Sequence, residues 1–126
     1  MSSVTSALSD VAASLSPDEL TKKVEEIKAA GNERFLKGDY TQAKALYTDA
    51  LSLNPNIVAI YSNRAICELK LEQYGLAIAD ATKAIELDAT FAKAYYRRAC
   101  AHLAILDPKA APVSYTHLTL PTIYPV

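Results

Sequence analysis

Three stretches of the 126-residue chain repeat one template at a spacing of 34 residues, and no other feature limits its possible folds so tightly. The period aligns Gly31, Ala65 and Ala99 at one site and Ala43, Ala77 and Ala111 at another. A unit of that length cannot bury its apolar face alone. Neighbouring units must therefore stack, and the small residues mark where their helices approach closely. The pattern predicts an all-α helical-hairpin solenoid of about two and a half repeats.

The punctuation between apolar stripes places the elements. Ser16-Pro17-Asp18-Glu19 reads as a helix start, with Ser16 as N-cap, Pro17 at the first helical position and Glu19 placed to close a capping box. The ordered domain is expected to run from residue 17 to 111, with residues 1–16 as a flexible tail. Leu20, Val24, Ile27, Ala30 and Gly31 recur at spacings of three and four, giving a helix with one buried stripe that runs to about Lys37. Gly38-Asp39 then turns the chain. A second helix spans about Tyr40 to Leu53, with Ala43, Leu46, Tyr47, Ala50 and Leu51 inward, and Asn54-Pro55-Asn56 stops it. The next unit copies the plan from Val58: Tyr61, Ala65 and Leu69, a turn near Glu72-Gln73, then Tyr74, Ala77, Ala81 and Ala84.

The third unit starts at Ala92 with Tyr95, Ala99 and Leu103, reaches Ala111 in register and fails. Residues 112–126 carry no charge and three of the chain's six prolines, so no helix fits through them. Two readings of this segment stand: a genuine alternative end, or non-native sequence joined to a truncated domain. The abrupt change in composition favours the second. Either way, the first helix of the third unit is expected to lack its packing partner and to be loosely held.

Composition excludes several classes of function. A net charge of −1 and a pI near 6.1 provide no basic field for a nucleic-acid backbone. No apolar run approaches the roughly 20 residues that cross a bilayer, and residues 1–15 lack the basic and apolar regions of a secretory signal. Cys67 and Cys100 lie in separate helices and read as buried, reduced thiols of a cytoplasmic protein, with the nucleus as a second compartment. His102 and His117 have no partner at metal-ligand spacing, and no Ser, His and acid set is recognisable. The chain is expected to be a binding module, with no catalytic residue, metal or cofactor.

A polar set lies on the first helices of the repeats. Lys28 and Asn32 are four apart and share a helix face, as do Lys93 and Arg97; Asn63 stands on the helix between them. If those helices line the inner curve of the solenoid, the five side chains converge. Two lysines and an arginine supply charged donors, and two asparagines supply neutral donors and acceptors for a peptide end. Such a set suits a ligand with a free C-terminal carboxylate beside an acidic side chain. Phase places Arg64 and Arg98 elsewhere, in surface or inter-repeat ion pairs. Phe35 is either core or the floor of a pocket for an apolar ligand side chain, and the sequence leaves both open.

The repeat grid resembles the tetratricopeptide repeat, which has a large residue early in its first helix, a small one near the middle and alanine in its second helix. Residues 24–57 and 58–91 match throughout, and residues 92–111 match until the break. The family tryptophan is replaced by Ile27, Tyr61 and Tyr95; the family proline survives as Pro55 but is Ala89 one repeat later. Within the family the chain is similar to the members that grip acidic chaperone tails. That resemblance implies a two-carboxylate clamp of Lys28, Asn32, Asn63, Lys93 and Arg97 for the C-terminal peptide of heat-shock 70 and 90 class (Hsp70/Hsp90) chaperones. The run from Tyr74 to Arg98 is also similar to the N-terminal domains of type-five serine/threonine phosphatases. This implies the targeting and autoinhibitory part of a metal-dependent phosphatase. The alternatives are the clamp domain of another co-chaperone, or a scaffold that uses a different face.

Overall fold

In the computed structural model, which describes residues 8 and 10–107, five helices follow one another: α1 (Pro17–Leu36), α2 (Tyr40–Leu53), α3 (Val58–Lys70), α4 (Tyr74–Leu87) and α5 (Ala92–Leu106). Short connections make α1–α2 and α3–α4 hairpins. Each helix packs on the next, and α3 also touches α5, so the first helices of the second and third repeats lie side by side. Ala111, His117 and the segment 112–126 fall outside the described residues.

The start of α1 follows the expected chemistry. Ser16 Oγ accepts from the Glu19 backbone N–H at 3.2 Å, and Ser16 N–H donates to Glu19 Oε1 at 2.9 Å. Hydrogen bonds from the Ser16 backbone N–H, and then from its side chain, hold the Glu19 carboxyl below its ordinary range. Order reaches further upstream than the flexible tail expected for residues 1–16: residues 10–14 are helical, and Leu8 and Ala12 pack against the core. Apolar contact with α1 and its neighbours offsets the entropy of ordering that segment.

The 34-residue period extends to individual hydrogen bonds. Tyr61 Oη donates to the Pro55 carbonyl at 2.8 Å, and Tyr95 Oη donates to the Ala89 carbonyl at the same distance. Because the turn uses that residue's carbonyl, alanine can replace proline there without loss of the contact. The preceding residues, Asn54 and Asp88, each accept the backbone N–H two positions on through Oδ1. Gly38 and Glu72 occupy equivalent turn positions at positive φ, 81° and 62°. Glycine adopts that conformation freely, whereas Glu72 bears a Cβ penalty.

The core is built on small residues and one large aromatic. Ala43, Ala50, Ala65, Ala77, Ala81 and Ala84 are fully buried, as are Tyr47, Ile60 and Ile66. A Cβ added at Gly31 would lie 2.7 Å from Tyr47 Cε1, so glycine is required where α1 crosses that ring. One period later the pair becomes Ala65 and Ala81, both with zero exposure, and the volume is shared differently. Both cysteines are buried and free, and burial pushes the Cys67 thiol up to about 12.

The third repeat differs from the second on one face. Tyr61 and Leu69 are 9% and 3% exposed, but their equivalents Tyr95 and Leu103 are 43% and 38% exposed, and Ala99 is open where Ala65 is closed. Among the described residues, no helix follows α5 to cover them as α4 covers α3.

A buried charged cluster joins α2, α3 and α4. Arg64 presents its Nε and Nη2 edge to both Asp80 oxygens at 2.7 Å and donates from Nη1 to Thr48 Oγ1 at 3.2 Å. The ion pair expected for Arg64 thus forms within the second repeat, to Asp80, and only its hydrogen bond to Thr48 crosses to the first. Lys44 Nζ donates to Gln73 Oε1 at 2.6 Å and stands 3.6 Å from Glu68 Oε2. Burial, followed by the adjacent Asp80, pushes the Glu68 carboxyl up to about 8 against the opposing pull of Lys44 and Arg64. A neutral Glu68 can donate a hydrogen bond to Asp80, whereas an ionised one faces a second carboxylate.

Two outcomes follow from this packing. Gly31→Ala gains about 1 kcal/mol in helix propensity but overpacks a fully buried ring. A net loss of about 1–2 kcal/mol is expected, read as a melting temperature lowered by several degrees. For Glu68 the folded pKa is raised, so the native state holds more protons than the unfolded chain between the ordinary carboxylate range and about 8. Stability falls as pH rises through that window. Urea midpoints measured at about pH 5 and pH 8 should separate in the wild type and converge in Glu68→Gln.

Candidate functional site

The polar set lies along α1, α3 and α5, the helices that come side by side. Lys28 and Asn32 stand one turn apart on α1, where the helical stripe that buries Val24 and Gly31 leaves both half-buried at its edge. Asn63 sits near the middle of α3, between buried Ser62 and Arg64, and is itself 4% exposed. Lys93 is half-buried in the first turn of α5, with Arg97 one turn further on.

Two cross-helix contacts tie the set together. Asn63 Nδ2 donates to Asn32 Oδ1 at 3.4 Å, linking α3 to α1. Arg97 Nε donates to the Ser62 carbonyl at 3.1 Å, linking α5 to α3 beside Asn63. Asn32 Oδ1 also accepts a short hydrogen bond from Tyr47 Oη of α2. Burial pushes the Tyr47 phenol far above its usual range, the nearby Cys67 adds to this, and Asn63 opposes it. Tyr47 thus remains a donor at any physiological pH.

The donor and acceptor count then assigns directions. With Oδ1 of Asn32 taken by two donors, its amide N–H2 is left to serve a further acceptor. Asn63 spends one hydrogen on Asn32 and has an Oδ1 that can accept. An amide donor beside an amide acceptor matches a peptide end, which offers a carboxylate and a backbone N–H. Lys28 lies 3.9 Å from Glu25 Oε1, an exposed i,i+3 pair that contributes little and yields readily to a better anion.

Arg97 differs from the open carboxylate binder expected of it. It is 1% exposed, the largest fully buried side chain among the described residues, and is anchored on the backbone of α3. A cation held where water is scarce acts on an approaching carboxylate with less screening than a surface lysine does. Phe35 packs edge-on to Tyr40, with centroids 5.3 Å apart and planes at 65°, and joins the partly buried margin of the core. Of the two sequence readings, this contact belongs to the core.

Two contributors escaped the sequence. Tyr47 was read as packing alone, and the rule that a buried phenol finds a polar partner could have pointed to Asn32 or Asn63. The Ser62 carbonyl had no signal, because helix phase does not say which backbone oxygen a long side chain from another repeat will reach.

Comparison with known proteins places this geometry. A family model described as tetratricopeptide repeat matches residues 29–57 and 58–91. Human serine/threonine-protein phosphatase 5 is 42% identical over 98 residues, which cover 78% of this chain and 20% of that protein. The chain thus spans about a fifth of the length of this phosphatase relative. Among solved structures, the TPR2AB domain of yeast Sti1 in its pHSP90 complex is 36% identical with a TM-score of 0.68, covering 82% of this chain and 38% of that one. The yeast Sti1 TPR2B domain in its pHsp70 complex is 42% identical with a TM-score of 0.65, covering 67% of each chain.

Proposed function

Since the chain belongs to the tetratricopeptide repeat family, we propose that it is a non-enzymatic module that binds the acidic C-terminal peptide of Hsp70 and Hsp90 class chaperones. The observation that carries this reading is the linked row from Asn32 through Asn63 to Arg97, which draws three helices into one polar face. Asn32 and Asn63 take the peptide's terminal carboxylate and last N–H, while Lys28, Lys93 and Arg97 supply positive charge to its carboxylates. Support also comes from the yeast Sti1 domains, whose structures are complexes with pHSP90 and pHsp70. Reading the module as the targeting and autoinhibitory part of a longer serine/threonine phosphatase is supported by the 42% identity to human phosphatase 5.

Calorimetric titration with an acidic peptide, free or amidated at its C-terminus, tests the first reading. Binding of about micromolar strength that amidation abolishes is expected; equal affinity for both forms would refute it. Lys28→Ala should weaken binding about ten- to a hundred-fold, the value of one charge-assisted hydrogen bond. Tyr47→Phe should also weaken it by releasing Asn32, with the melting temperature recorded in parallel. For the phosphatase reading, the module added to the isolated catalytic domain of such an enzyme should lower its activity, and the acidic peptide should restore it. Unchanged activity would count against that role.

A further inference from the structure

Glu68 is the acidic residue of α3, the helix that also carries Asn63, and the peptide-binding reading gives it no task. It is 2% exposed, and its Oε1 is a buried oxygen without a hydrogen-bond partner among the described residues. The charged groups around it come from three helices. Lys44 of α2 stands 3.6 Å from Oε2 and Arg64 of α3 stands 3.9 Å from it, while both oxygens of Asp80 on α4 are taken by Arg64. An ionised Glu68 leaves a bare anionic oxygen in a dry site beside a second carboxylate; a proton turns one of its oxygens into a donor. Burial and then Asp80 raise this carboxyl to about 8, so its charge changes between neutral and mildly alkaline solution.

That charge lies close to the polar face. Glu68 is five residues from Asn63, a rise of about 7.5 Å along the helix. Cys67, one turn after Asn63, connects the two regions. Its thiol feels Glu68 and Lys44 together with Arg97 of α5, and it acts in turn on the Tyr47 phenol that holds Asn32. All four groups are buried or half-buried, where charges are poorly screened.

We propose that Glu68 is a proton-linked regulator of the peptide site: with its proton it leaves the positive field of Lys28, Lys93 and Arg97 intact, and without it a buried negative charge opposes an acidic peptide. The inference rests on the acidic-peptide reading above. At roughly 10 Å, and screened over a Debye length of about 8 Å, one unit charge acting on a multiply charged peptide changes its affinity about two- to threefold. Linkage requires the reverse effect as well: bound peptide must make Glu68 hold its proton more tightly by the same factor.

The test is calorimetric titration of the full chain with the acidic, free-carboxylate peptide at pH 6.5 and pH 8.5, for the wild type and for Glu68→Gln. The wild type should bind about two- to threefold more weakly at the higher pH, and Glu68→Gln should bind alike at both. His102 and His117 are present in both proteins, so the difference between them isolates Glu68. Carboxyl-carbon NMR of the wild type supplies a readout that needs no variant. Saturation with peptide should raise the Glu68 titration midpoint by about 0.3–0.5 on the pH scale, the reciprocal of that change in affinity. Wild-type affinity equal at the two pH values, a pH dependence that persists in Glu68→Gln, or a midpoint that peptide leaves in place would overturn the proposal while the peptide reading stands. Absence of binding by either protein at pH 6.5 would overturn the peptide reading and this inference with it.

Discussion

The side chain on which most of this structure depends is Tyr47. Its ring fills the space where α1 crosses α2 and leaves no room for a Cβ at Gly31. Its hydroxyl, at the other end of the same rigid body, bonds to Asn32. Packing and recognition therefore share one residue: whatever holds the ring in the core also fixes the direction in which the first asparagine of the polar face points. A rigid aromatic serves this purpose at low entropic cost, because two torsions determine where its hydroxyl lies.

The middle helix acts as the hub for polar groups. From α3, Arg64 reaches Thr48 and Asp80, Glu68 faces Lys44, Asn63 bonds to Asn32, and the Ser62 carbonyl receives Arg97. Replacing such a buried set by well-packed apolar residues is often neutral or stabilising, so the set is weak evidence for stability. Each contact links residues at least 16 apart in sequence or joins adjacent helices, and a slip of one turn would leave charges buried without partners. The same side chains that select the stacking of the repeats also line up the asparagines and Arg97.

Repetition explains both the regularity of the fold and the place where it stops. The turn hydrogen bonds of Tyr61 and Tyr95, the positive-φ residues Gly38 and Glu72, and the ring contacts of Arg64 and Arg98 are copies of one another. On α5 the copied residues remain, but the covering helix that would use them is not among the described residues.

The sequence by itself determined the helix boundaries, the capping box at Ser16, the pairing of helices and the identity of the five polar residues, because period and turn chemistry are local properties of a chain. It also placed Arg64 in an ion pair. Only the tertiary structure decided depth and direction. Arg97 lies buried against a backbone carbonyl, Glu68 is driven toward its neutral form by burial and then by Asp80, and Tyr95 and Leu103 lie open although their pattern matches buried equivalents. Helical phase tells which face a residue occupies, but burial depends on whether another helix arrives to cover that face. The break after Ala111 shows in the sequence where the repeat fails, but how deeply each side chain is buried depends on contacts between segments distant in sequence.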